Sequence, residues 1–137
     1  MYLQDGYLKF SKTGGHNTAL QLQVNTLPAT PTEVEITFDY CMMVQGDGMI
    51  DEGPMGVYII GDGQFDNGTK LSDPQVSAQV TSQFLWNKSA VLKASGVTKD
   101  TKFVFLMQRV LRADGSFNWG VSGAGRFFID NIEIVSR

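Results

Sequence analysis

The stretch TEVEITFDYCMMV (32–44) constrains this chain more than any other. Side chains along a strand point alternately to the two faces of a sheet. Here Val34, Ile36, Phe38, Tyr40, Met42 and Val44 fall on one face, with Glu33, Glu35, Thr37, Asp39 and Cys41 opposite. That period of two is a strand signal, not a helical one. A strand with one apolar and one polar face suits an antiparallel sheet with its core on one side and water on the other.

The rest of the chain repeats the signal. YLKFSK (7–12) alternates, and TALQLQV (18–24) sets Leu20, Leu22 and Val24 against Gln21 and Gln23. GVYII (56–60) is continuously apolar, as in a central strand. QVSAQVTSQF (75–84) and SAVLKA (89–94) are weaker, TKFVFLMQRVLR (101–112) is long and strong, and RFFIDNIEIV (126–135) closes the chain. No segment has sustained helical periodicity. Between the strands stand Gly14-Gly15, Pro28 to Pro31, Asp47-Gly48, Asp62-Gly63, Asn67-Gly68 and Asp114-Gly115, residues that accept the positive φ of tight turns. About eight strands joined by such turns predict an all-β antiparallel sandwich rather than βαβ units. Three connections, 45–55, 61–74 and 113–125, are long for hairpins, and long loops on a rigid sandwich are where function usually sits.

Composition narrows the function classes. The chain has 137 residues, 42% hydrophobic and 18% charged, which fits one folded domain with a real core. With a net charge of −3 and no basic run it carries no nucleic-acid footprint. No apolar run is long enough to span a bilayer. Met1 is followed by YLQDGYLKF, which is not a signal peptide, so the protein is either cytosolic or begins after its export signal. Few Lys and many Gly, Ser, Thr, Asn and Gln point to an exported surface. A single cysteine, Cys41, excludes an intramolecular disulfide and reads as a buried free thiol.

The closing strand poses a problem. Under strict alternation Phe128, Ile132 and Ile134 share one face, and Asp130 lies between them, aimed at the core. Three readings are open. A β-bulge at Asp130-Asn131 would turn Asp130 outward and bring Phe127, Ile129, Ile132 and Ile134 together. A buried carboxylate could accept backbone N–H groups from a neighbouring loop. A structural calcium could use the carboxylate as a hard oxygen ligand.

That strand, with the form aromatic-Phe-Ile-Asp-Asn-Ile, resembles the last strand of the galactose-binding-like jelly rolls, which include many carbohydrate-binding modules. The order GYLKF, TALQLQV, a TP-containing turn, VEITFDY and GVYIIGDG is similar to modules in surface polysaccharide-utilisation proteins of gut bacteria. The resemblance covers most of the chain. It implies a jelly-roll sandwich over 1–137 that lacks, or nearly lacks, the usual first strand. It also implies a structural calcium held by Asp130 with a ligand near the N-terminus, where Asp5 is the residue on offer. Asp130 is then a structural residue tying the last strand to the N-terminal segment, not a catalyst.

Nucleophilic catalysis finds little support. His16 is the single histidine, no G-x-S-x-G elbow exists, and GVSGAG (120–125) precedes a strand and opens no helix. The acidic loops hold Asp47, Asp51, Glu52, Asp62 and Asp66 but do not match a calcium-loop motif. A glycosidase pair among them would need two carboxylates about 5–10 Å apart across a cleft. Loop aromatics are the better lead, since sugar C–H faces stack on flat rings while hydroxyls pair with amides, carboxylates and guanidinium groups. Trp119, Phe117 and Asn118 lie in a Gly-rich loop, Trp86 is flanked by Asn87 and Lys88, and Arg109 and Arg112 stand near the end of a long strand. These six are the expected ligand contacts. Tyr58 sits in a strand whose face the sequence leaves open. The expected function is a non-catalytic carbohydrate-binding module taking an oligo- or polysaccharide. It would be one piece of a multidomain extracellular or cell-surface glycan-processing protein. A structural or adhesive module that binds protein, and a small glycoside hydrolase, are the alternatives.

Overall fold

A computed structural model describes residues 2–4, 7–11, 19–44, 55–75, 86–111, 117–119 and 125–137, with side chains over 20–41, 55–75, 86–105 and 128–137. Every regular element among these residues is a strand: β1 (Tyr2–Gln4), β2 (Tyr7–Ser11), β3 (Ala19–Gln23), β4 (Thr32–Val44), β5 (Met55–Ile60), β6 (Gln64–Phe65), β7 (Asn87–Lys88), β8 (Leu92–Val97), β9 (Lys102–Leu111), β10 (Phe117–Trp119) and β11 (Gly125–Ser136). Of the expected strand 75–84, only Gln75 lies among the described residues. No helix is present there, so none is long and apolar enough to cross a membrane.

One sheet runs β1-β2-β11-β4-β8-β6, with β7 also beside β4. In the other, β9 is flanked by β3 and β5 and pairs with β10 over its far part. All pairings are antiparallel. The alternation of β4 is realised as expected: Val34, Ile36, Phe38 and Tyr40 are buried, and Glu33, Glu35, Thr37 and Asp39 point away from them. Phe38 meets Phe105 of β9 edge to face, with ring centroids 5.3 Å apart, and so joins the two sheets in a β-sandwich-like arrangement. Met55, Val57 and Ile59 of β5 complete the facing layer, which leaves Tyr58 half-buried on the outer side.

A bulge resolves the problem of Asp130. In the β11–β4 ladder Asp130 opposes Asp39 and Glu133 opposes Thr37, so Asn131 and Ile132 together face Phe38. Asn131 adopts φ +50°, a left-handed conformation that Asn tolerates better than most residues. The extra residue resets the phase of the strand. Ile129 is buried in the core, Ile132 and Ile134 pack against it, and Asp130 turns outward. The Phe127 side chain lies outside the described residues. Phe128 is buried but pairs with Cys41 on the opposite face from Ile129, and Cys41 is the expected buried free thiol. The buried-carboxylate reading is thereby corrected. Asp130 is half-exposed, and among the described residues it accepts the N–H of its neighbour Asn131 alone, at 2.9 Å. Attachment to the N-terminal segment comes from the ladder with β2, through Phe128 opposite Lys9 and Ile129 opposite Leu8.

One strand in each sheet is completed by the same device. At Phe38 the backbone carbonyl accepts Ser89 N–H at 2.8 Å, and Ser89 Oγ accepts Phe38 N–H at 3.0 Å. At Val57 the carbonyl accepts Ser72 N–H at 2.9 Å, and Ser72 Oγ accepts Val57 N–H at 3.0 Å. Each serine oxygen replaces the backbone carbonyl that an irregular partner strand fails to present. Each hydroxyl then donates to the next residue's carbonyl, that of Ala90 or Asp73. Gln75 links the two places. Its backbone exchanges two hydrogen bonds with Met55, and its Oε1 accepts the Ala90 N–H at 2.7 Å. Buried polar side chains are thus all satisfied among the described residues. As a result the segment Lys70–Gln75 lies along the outer edge of β5.

Candidate functional site

Topology collects strand ends at one end of the sandwich. Ladder registers bring Ser11, Val44 and Gly125 level in one sheet, and Ala19, Met55 and Gln75 level near Leu106–Met107 in the other. The opposite ends are joined by the short connection from Val97 to Lys102, so the two sets of ends face the same way. The β9–β10 hairpin belongs to this end, with Phe117 opposite Leu111 and Trp119 opposite Gln108. Trp86 also stands there, just before Asn87 pairs with Tyr40.

The expected ligand contacts fare differently. Phe117, Asn118 and Trp119 form a short strand paired antiparallel with β9 rather than a Gly-rich loop. Arg109 lies on β9 beside them. The side chains of all four, and all of Arg112, lie outside the described residues. Trp86 can be read directly: it is 38% exposed, a large amount for an indole. Beside it, Asn87 is half-buried and Lys88 pairs with Asp39 at 3.5 Å on the outer face of the sheet. That exposed pair contributes little to stability.

Around Asp130, the Asn131 Nδ2 donates to Asp39 Oδ2 at 2.7 Å. Asp39 and Asp130 thus face each other across adjacent strands, with Asn131 and Lys88 satisfying part of the charge. No group of three or more His, Cys, Asp or Glu side chains converges among the described residues. Asp5, the expected second calcium ligand, lies outside them, as do His16, Asp47, Asp51 and Glu52. Asp62, by contrast, is structural: its carboxylate accepts the Thr98 hydroxyl at 3.0 Å and its carbonyl that of Thr101 at 2.8 Å. Among the described residues, desolvation holds the Tyr40 hydroxyl above its ordinary value of 10.0.

Sequence reasoning missed a surface cleft of about 170 Å³ at the β6–β8 edge. Phe65 and Leu92 form its buried floor, and Val91, 52% exposed, forms an apolar wall. Asp66, Asp73 and Lys93 line its rim. The available signal was Phe65, an apolar residue set among turn formers, and Val91 in the weak strand segment 89–94. The fold joins them by pairing Phe65 with Ala94.

Compared with known proteins, the chain matches no family model, no curated protein and no solved structure.

Proposed function

We propose that the chain is a non-catalytic carbohydrate-binding module on a jelly-roll sandwich, recognising an oligo- or polysaccharide at the end of the sandwich that carries Trp86 and the β9–β10 hairpin. The observation behind this reading is the exposed Trp86 indole, at the end of the sandwich where Arg109, Phe117, Asn118 and Trp119 also lie in the chain path. A flat apolar ring open to water suits the C–H face of a sugar, and amide, guanidinium and carboxylate groups suit its hydroxyls. A structural calcium at Asp130 and Asp5, a place in a multidomain glycan-processing protein and an extracellular or cell-surface location are part of the same proposal, and rest on the resemblance of the closing strand.

A glycan array, run with calcium and again with chelator, tests it. Binding to one glycan class, lost in Trp86→Ala or Trp119→Ala while the melting curve is unchanged, is the expected result. Loss of binding together with a lowered melting temperature in chelator alone would assign the metal a structural role. No binding in either buffer would sink the proposal and favour a structural or adhesive module.

A further inference from the structure

The cleft at the β6–β8 edge holds two charged side chains that the fold does not use. Asp66 and Lys93 are cross-strand neighbours, and the Asp66 N–H donates to the Lys93 carbonyl at 3.0 Å. Among the described residues, neither the Asp66 carboxylate nor the Lys93 ammonium has an ion-pair or side-chain hydrogen-bond partner. The third rim charge, Asp73, is in part committed, since its Oδ1 accepts Asn67 Nδ2 at 3.2 Å. An uncommitted acceptor and an uncommitted donor therefore stand over an apolar floor of Phe65 and Leu92, with Val91 open to solvent.

That combination fits a neutral, hydroxyl-rich ring better than an ion. A cation would meet Lys93, an anion would meet Asp66 and Asp73, and a purely apolar group would strand all three. The volume of about 170 Å³ is smaller than a drug-sized pocket, which suits one ring rather than an enclosed ligand. Trp86 stands just before β7, which pairs with β4 on the same side as β8, and the cleft lies one strand further out, where β6 joins β8. From Trp86 to Val91 the chain advances five residues, at most ~18 Å, the scale of a short run of linked sugars.

We propose that this cleft is a second carbohydrate subsite, which takes one sugar ring between Asp66 and Lys93 and, with Trp86, makes the β7–β8 edge a path for an oligosaccharide chain. This inference rests on the carbohydrate-binding reading above. It specifies that the ligand is an extended chain rather than a single terminal sugar.

The test is titration calorimetry with cello-, xylo-, manno- and malto-oligosaccharides of two to six residues, on the wild type and on Asp66→Ala, Lys93→Ala and Trp86→Ala. Among the described residues Asp66 and Lys93 support no other side chain, so their variants keep the wild-type melting temperature. The expected result is affinity that rises with chain length, falls about tenfold or more for the longest oligosaccharide in Asp66→Ala or Lys93→Ala, and is unchanged by them for the shortest. Affinity independent of chain length, or long-chain binding untouched in both variants while Trp86→Ala abolishes it, would overturn the subsite and leave the binding-module reading standing. A chain that retains no glycan on the broad array loses both. Release of reducing sugar by the wild type, abolished in Asp66→Asn or Asp73→Asn, would also overturn the subsite and make the cleft an active site.

Discussion

Replacing Gly63 by alanine should be among the most damaging methyl additions to this protein. Gly63 has φ +99°, where an L side chain is strained, and the left-handed region costs about 1–2 kcal/mol for a residue with a Cβ. The added Cβ would also lie 2.5 Å from Val97 Cγ1, 2.9 Å from Ser95 O and 3.0 Å from Val97 N. Two of these atoms are backbone and the third belongs to a fully buried core residue, so neither side can yield cheaply. Overpacking of this kind costs about 1–3 kcal/mol, which brings the total to about 2–5 kcal/mol. A domain of ordinary stability has about 5–15 kcal/mol to lose. Gly68 is the internal control. It has φ +80° but nothing within 4 Å of a new Cβ, so Gly68→Ala carries the conformational cost alone. Urea unfolding followed by circular dichroism should show both midpoints lowered with unchanged slope. The Gly63→Ala midpoint should be lower by the equivalent of a further ~1–3 kcal/mol. Equal midpoints for the two variants would refute the steric argument and leave backbone strain as the whole effect.

Ser89→Ala should cost about 1–3 kcal/mol, because it leaves the Phe38 N–H buried without an acceptor, and Ser72→Ala should cost a similar amount at Val57; a loss below ~0.5 kcal/mol in either would mean that water replaces the hydroxyl. At the β11 bulge, Asn131→Ala should be more destabilising than Asn131→Gly, since both lose the bond to Asp39 but only alanine is strained at φ +50°; the reverse order in thermal melts would remove the conformational explanation. Desolvation raises the Tyr40 hydroxyl above 10.0, so the unfolded chain gives up this proton first as pH rises. The contribution is therefore whole below about pH 10 and is lost as pH climbs through the higher folded-state value. Tyr40→Phe should flatten the alkaline fall in stability, and identical alkaline slopes for variant and wild type would contradict this.

Period-two alternation made the bounds of β4 and its faces over 33–40 legible, and the strong apolar segments at 101–112 and 126–135 became β9 and β11. These are cases in which one physical requirement, a single buried face, writes itself into consecutive residues. The bulge at Asn131 was legible as one of three options, because the sequence shows a phase conflict but not its resolution. What decides it is the partner strand, where Phe38 accepts two residues opposite it. Ser72, Ser89 and Gln75 carried no readable signal. A serine that substitutes for a carbonyl looks like any turn serine until the strand it serves is in place. The cleft was hidden for the same reason, since Phe65 and Val91 are 26 positions apart and meet only through the β6–β8 pairing. Loop aromatics were readable as candidates by residue type. For Trp86 the structure adds the exposure on which a binding role depends.

The segment lying along β5 bears on how the protein behaves when crowded. An uncovered strand edge is a template on which a second copy can add its own strand. Here residues 70–75 occupy that edge, and they do so irregularly, with a serine hydroxyl in place of one carbonyl and an exposed Pro74 that has no N–H to offer. The covering segment therefore presents no regular ladder of its own to the next molecule. Fibrillar growth through this side of the sandwich would first require the Gln75–Met55 and Ser72–Val57 contacts to open, which makes aggregation from β5 a consequence of partial unfolding rather than of concentration alone.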